Sequence, residues 1–516
     1  MKLSLGEGGL SRFTTVLLWT VIASFAGAWI SLFSRVSLWW NEASYYTHGW
    51  AVPMLAIILF INRIPEEKSV EKSFNPWRPL LICLFLYFPA RLVGEPDPFW
   101  RFPLWIETLG LCWITGFFIH HTKLKVSWQT WGLITFYLLT ALPWPASLES
   151  RIVHGLTQVV SELTTECLLL LGFPAILSQG AILVDQDLVK INQACSGIRS
   201  LQNLLSLGVF LSIYFRFDWG RFSFLLFISC LSTLFFNFVR ALTLSYLSLE
   251  FGSEAQKEWH DFTGNSLVIL SMLTVGLVAL SLRTKTNCEK VLPNPSLPQA
   301  TNFLTSNLSW VFLGIFALPQ AFTFIWFSLL CPKPPAFSWE IDLGESAEKI
   351  EQGIEDVLQF DYGEKKKFSF GPDAWAEVIH FGYYPQSAAA SLCSRNHPPD
   401  YCMGYTGIKI VESNPVVTFE FEDTPLVFRH YSSSPQLGIS DSGIDVFWGS
   451  FTLDSRIASF EFENSSIVEK VMWFLSGKLS YERKVLLITL KGVKNKENAR
   501  NELFTLLNKI LIKSNS

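Results

Sequence analysis

Phe222-Ser223-Phe224-Leu225-Leu226-Phe227-Ile228-Ser229-Cys230-Leu231-Ser232-Thr233-Leu234-Phe235-Phe236-Asn237-Phe238-Val239-Arg240-Ala241-Leu242-Thr243-Leu244 decides the fold class. The apolar run continues to Leu249 and carries one charge, Arg240. About 20 such residues cross a bilayer as a helix. A charge inside the span is costly and usually faces a partner or a polar cavity. Asn237, three residues before Arg240, falls on the same helical face and can hold it.

Working outward, runs long enough or nearly long enough to cross a membrane lie at 13–33, 49–62, 79–93, 104–120, 128–145, 201–216, 222–249, 263–282 and 303–330. Half of the 516 residues are hydrophobic and only 16% are charged, so the chain reads as a polytopic membrane protein. The sequence predicts an all-α membrane bundle of about 8–9 transmembrane helices. The first run holds Ala26-Gly27-Ala28, which looks like a signal-peptide cleavage site, but the apolar residues continue past it, so an uncleaved span is expected.

Lys and Arg set the expected orientation. Lys2 and Arg12, then Arg63, Lys68, Lys72 and Arg78, then Lys123 and Lys125, then Arg216 and Arg221, then Arg283, Lys285 and Lys290 fall in alternate loops. The intervening loops carry Glu42, Glu95, Asp97, Asp185, Asp187, Glu254 and Glu258. This predicts a multi-pass plasma-membrane protein with a cytoplasmic N-terminus and an extracytoplasmic C-terminal region.

Residues 151–171 show helical periodicity, as an interfacial or partly inserted helix would. Residues 175–194 alternate around Gly180 and read as a hairpin leading to the next helix. After Cys331-Pro332-Lys333-Pro334-Pro335 the composition turns polar. Runs such as 416–421 and 485–490 read as strands and 495–513 as a helix, together a soluble α+β domain. The expected divisions are therefore 1–290 for a catalytic membrane domain, 291–335 for a ninth helix with linkers, and 336–516 for the soluble domain.

The net charge of −4 gives no support for nucleic acid as a partner, and the nine cysteines form no CxxC or Cys/His pattern, so neither metal nor cofactor is expected. Ala194-Cys195-Ser196-Gly197-Ile198-Arg199-Ser200-Leu201 puts a thiol at a helix N-terminus, where unpaired N–H groups favour the thiolate. The plain alternative is a buried cysteine where a helix begins tightly. Arg240 suits a substrate carboxylate or the oxyanion of a tetrahedral intermediate, or else a structural ion pair. His260, between Trp259 and Asp261, suits a general acid–base, or else is an ordinary interfacial histidine. His48, in Tyr45-Tyr46-Thr47-His48-Gly49-Trp50, is a second candidate imidazole. The expected topology brings Cys195, Arg240 and His260 to the outer half of the membrane.

Over roughly 40–283 the chain resembles the exosortases and their archaeal relatives, the archaeosortases. The resemblance rests on Tyr46-Thr47-His48-Gly49-Trp50 with Pro53, on Ala194 to Leu201, on Asn237-Phe238-Val239-Arg240, and on His260-Asp261-Phe262-Thr263-Gly264. It implies a membrane cysteine transpeptidase that processes proteins bearing a C-terminal sorting signal: a short motif such as Pro-Glu-Pro, a span and a basic tail. Cys195 would be the nucleophile, Arg240 the positioning or transition-state group and His260 the acid–base, with Ser196, Gly197, Asn237 and His48 in support. An exopolysaccharide or lipid is a possible acceptor.

The C-terminal region is also similar, more faintly, to an exosortase-associated domain, through His397-Pro398-Pro399-Asp400-Tyr401-Cys402. Cys402 either pairs with Cys393 in a disulfide or remains a reactive thiol. Core exosortases are about half this length, so the ninth span and the soluble domain are additions. A competing reading makes the chain a transporter or polysaccharide-export component in which Arg240 and His260 line a pathway.

Overall fold

The computed structural model describes residues 7–63, 76–121, 126–190, 197–283, 306–330, 338–384, 410–433, 443–452 and 482–514, apart from a few positions within these ranges, and isolated residues between 466 and 476. Two compact units emerge, Met1–Arg91 with Arg101–Phe322, and Leu92–Trp100 with Thr323–Ser516.

The first unit is built of helices: α1 (Glu7–Glu42), α2 (Ala51–Arg63), α3 (Trp77–Gly94), α4 (Arg101–His121), α5 (Trp128–Leu139), α6 (Ala146–Leu170), α7 (Ile198–Tyr214), α8 (Trp219–Phe251), α9 (Ser253–Ser281) and α10 (Ser306–Ile325). Among the described residues six helices are long and apolar enough to cross a membrane; they lie in α1, α3, α4, α8, α9 and α10. Three expected spans form shorter helices, α2, α5 and α7. The run at 128–145 stops as helix at Leu139, because Pro143 and Pro145 follow and a proline removes a backbone donor and disfavours helix just before it. Ser127 starts that helix by accepting the Thr130 N–H at 3.1 Å.

The expected hairpin gains a third strand. β1 (Ala175–Ser178), β2 (Ala181–Val184) and β3 (Asp187–Lys190) form an antiparallel meander within the otherwise helical unit. Asp218 caps α8 by accepting the Arg221 N–H at 3.0 Å. A single residue, Gly252, separates α8 from α9; its φ of +86° is a conformation that side chains resist.

Charge is buried elsewhere in this unit. Arg35 of α1 bonds the Glu107 carboxylate of α4, which is fully enclosed. Arg91 Nε of α3 lies 4.0 Å from the same carboxylate and donates to Gln320 Oε1 of α10 at 3.0 Å. Gln320 Nε2 in turn donates to the Tyr87 hydroxyl at 2.5 Å. Four helices are thereby keyed together by one polar cluster.

The second unit is β-rich. Its seven-stranded antiparallel sheet runs β5 (Glu348–Lys349), β6 (Tyr362–Ser369), β7 (Trp375–Tyr383), β11 (Arg483–Lys491), β10 (Ile444–Thr452), β9 (Thr424–Ser433), β8 (Ile410–Phe421). Alternation splits its side chains between two cores. Ala376, Val378, Leu486, Ile488 and Leu490 pack under α11 (Lys496–Ile510) through Leu503, Leu506 and Leu507. Phe381, Tyr383, Val446, Trp448 and Val485 form the opposite core. The expected terminal helix ends at Ile510, and the chain continues as β12 (Leu511–Lys513), paired with β4 (Trp339–Ile341).

Candidate functional site

The α8–α9 hairpin sets the geometry of the site. Arg240 and Gly264 each lie twelve positions from Gly252, so the antiparallel helices bring them level. A Cβ on Gly264 would sit 3.3 Å from the Arg240 Nε and Cζ atoms, so the missing side chain makes room for the guanidinium. From there the side chain reaches one turn along α9 to His260.

Arg240 Nη2 lies 3.0 Å from His260 Nε2, and His260 Nδ1 lies 3.0 Å from Asp261 Oδ1. The tautomer follows from donor chemistry. A guanidinium has only N–H donors, so Nε2 must accept, and an imidazole accepting at Nε2 carries its proton on Nδ1. Nδ1–H then donates to the exposed Asp261 carboxylate. In this tautomer the Nε2 lone pair faces Arg240.

Asn237, one turn before Arg240 on α8, is buried against Gly197. A Cβ on Gly197 would fall 2.8 Å from the Asn237 Cγ, and the Gly197 φ of +79° is left-handed, so both space and backbone demand glycine. Gly197 directly precedes α7. Gly197 against Asn237, and Gly264 and His260 against Arg240, are thus two groups of contacts one turn apart along α8. Cys195 and Ser196 lie outside the described residues, as do Cys393 and Cys402.

His48 belongs to a different set of contacts. It sits in the 3₁₀ turn Ser44–Trp50, its Nε2 3.0 Å from the Thr140 carbonyl. Thr140 Oγ1 is 3.1 Å from Ser206 Oγ on α7. Two residues away, the Tyr46 hydroxyl donates to Glu149 Oε2 at 2.5 Å and accepts the Trp144 N–H at 2.8 Å. Arg101 Nη1 is 2.9 Å from the same Glu149 oxygen. This motif therefore fastens the turn to α6 and to the segment after α5.

Sequence reasoning named Asp261 only as a neighbour of His260; its role depends on ring orientation, which spacing does not carry. Among the described residues no group of three or more His, Cys, Asp and Glu side chains is arranged to hold a metal ion.

A helical bundle of membrane-spanning length, holding an arginine against an imidazole, defines a polytopic membrane protein with a polar site on apolar helices. Residues 39–277 match the family model of the transmembrane exosortases, and this part of the chain belongs to that family. The match runs from late α1 into α9 and takes in Gly197, Asn237, Arg240, His260 and Gly264. No curated protein matches the chain, and no solved structure does.

Proposed function

We propose that the protein is a membrane cysteine transpeptidase that cleaves C-terminal sorting signals of exported, membrane-anchored proteins and passes them to an acceptor. The observation that carries this reading is the Arg240–His260 contact, one turn along α8 from Asn237, which packs against Gly197. Covalent geometry keeps the Cys195 Cα within about 7 Å of the Gly197 Cα, whatever the local conformation. A thiol, a guanidinium and a neutral imidazole are the groups that acyl transfer through a thioester needs.

In the proposed cycle the substrate carbonyl becomes the new acceptor for Arg240, which releases His260 Nε2. Nε2 takes the Cys195 proton as the sulfur attacks the carbonyl carbon, and the carbonyl π electrons move to oxygen. Arg240 and backbone N–H groups near Ser196 stabilise that oxyanion. The C–N bond then breaks, the imidazolium gives its proton to the departing amine, and the thioester remains. An acceptor nucleophile, or water, attacks the thioester, loses its proton to Nε2 and expels the Cys195 thiolate. An imidazolium beside a guanidinium is disfavoured, so the proton passes quickly to the amine, while Asp261 offsets part of the cost.

In this reading Ser196, Gly197 and Asn237 support the nucleophile and arginine, and His48 braces α7. The catalytic groups face the extracytoplasmic side, the soluble domain lies there too, and the acceptor is a lipid or exopolysaccharide. The test uses the full chain with a tagged substrate ending in a short motif, a span and a basic cluster. Cys195→Ala should abolish cleavage while leaving the protein folded in the membrane. Cleavage by that variant, or full activity of Cys195→Ser, would refute the nucleophile and favour a transport role.

A further inference from the structure

The even-numbered positions of β6, β7 and β11 share one face of the sheet. Under α11 that face is apolar, with Val378, Leu486 and Ile488. Where α11 no longer covers it the character changes. Tyr362 and Glu364 on β6, His380 on β7 with Tyr384 after it, and Lys484 on β11 with Glu482 before it line a cavity of about 510 Å³, with Glu340 of β4 on its wall. Tyr362 lies against Gly382, where any Cβ would collide with its ring.

The cavity is built rather than incidental. Tyr362 Oη donates to Glu482 Oε1 at 2.7 Å, and burial beside that carboxylate pushes the phenol pKa far up, so the proton stays on Tyr362. His380 is 6% exposed, and its Nε2 is buried without a hydrogen-bond partner among the described residues. A buried polar atom left in that state is costly unless something fills its place. Burial, and then the Lys484 charge, push the His380 pKa down to about 3, so the ring is neutral at physiological pH and can accept at Nε2. The Lys484 ammonium is engaged by the Trp339 carbonyl at 3.3 Å and lies over the Trp339 ring.

Charge decides what fits. Three carboxylates, Glu340, Glu364 and Glu482, face one ammonium, so the lining carries an excess of negative charge. Among the described residues these carboxylates are not gathered closely enough to ligate a metal ion. A spread of carboxylates suits a cation that is itself extended. The Tyr362 and Tyr384 rings, with centroids 5.5 Å apart, offer the π faces that organic ammonium groups seek.

We propose that this cavity is a binding site for an organic ammonium ligand, its N–H groups donating to Glu364, Glu482 and His380 Nε2 and its alkyl chain lying along Tyr362 and Tyr384. The site is independent of the thioester chemistry.

Titration calorimetry of the full chain in nanodiscs tests it, with 1,5-diaminopentane as probe and pentane-1,5-diol as the uncharged match. The diamine should bind saturably and the diol should not. Glu364→Gln and, separately, Tyr384→Ala, both at side chains accessible to solvent, should weaken the diamine at least about tenfold, the effect of losing one charged contact. Cys195→Ala should bind it as the parent does, which separates this outcome from failure of the transpeptidase reading. Equal binding of diol and diamine, absence of diamine binding, or unchanged affinity in both Glu364→Gln and Tyr384→Ala would overturn the proposal.

Discussion

Two of the arginine sites in the membrane unit are built in opposite ways. Arg35 and Arg91 converge on Glu107, a carboxylate with no exposed surface, and Gln320 and Tyr87 close the polar network around them. Arg240 instead faces an imidazole, and the carboxylate on the other side of that ring, Asp261, is open to solvent. In the first cluster charge meets opposite charge and the geometry is closed. In the second the guanidinium meets an imidazole whose other ring nitrogen faces solvent-exposed Asp261. A sealed ion pair holds helices together, whereas a charged group beside an imidazole near solvent is open to a ligand.

Substitutions sharpen this contrast. Arg240→Lys should lower substrate processing by about 100-fold or more, because a point charge replaces a planar fork at an oxyanion. Its thermal midpoint should stay close to the parent's, measured by unfolding in the same detergent. A large fall in stability with proportionate activity would make Arg240 a structural residue like Arg35.

Glu107→Gln should act the other way round. It leaves two arginines around a neutral amide, and breaking a buried pair typically costs about 3–5 kcal/mol. Unfolding should come earlier, and the activity per folded molecule should be retained. If stability were unchanged, the two clusters would not differ as described.

The smallest expected effect is at Asp261. Asp261→Ala should reduce turnover by about tenfold with little change in KM, and Asp261→Asn should recover most of that loss, since its amide oxygen can still accept from Nδ1–H. Equal losses in both variants would show that charge, and not ring orientation, is what Asp261 supplies.

Much of this was legible before any coordinates. A lone arginine in a long apolar run is conspicuous, Asn237 stands on its helical face, and the hairpin brings His260 to it. The strands at 416–421 and 485–490 and the terminal helix were legible by period. What escaped was whatever depends on partners far away in the chain. Glu107 stood in the apolar run 104–120 as a visible anomaly, yet nothing local pairs it with Arg35 or Arg91. The alternating runs at 181–184 and 188–191 were legible, but the count of three strands escaped, because strands of four residues are too short for their pairing to be chosen from pattern alone. The sheet order escaped for the same reason, since β7 pairs with β11 across about a hundred residues.

The one-residue link at Gly252 turns the site into a matter of counting. Each residue added to or removed from α8 after Arg240, or from α9 before His260, would rotate one side chain by about 100° about its helix axis. A single deletion there would swing the imidazole away from the guanidinium while leaving both helices intact and apolar. Chain length between these two residues is therefore as much a part of the chemistry as their identities, and lineages that retain the activity should tolerate substitutions in this stretch far more readily than insertions.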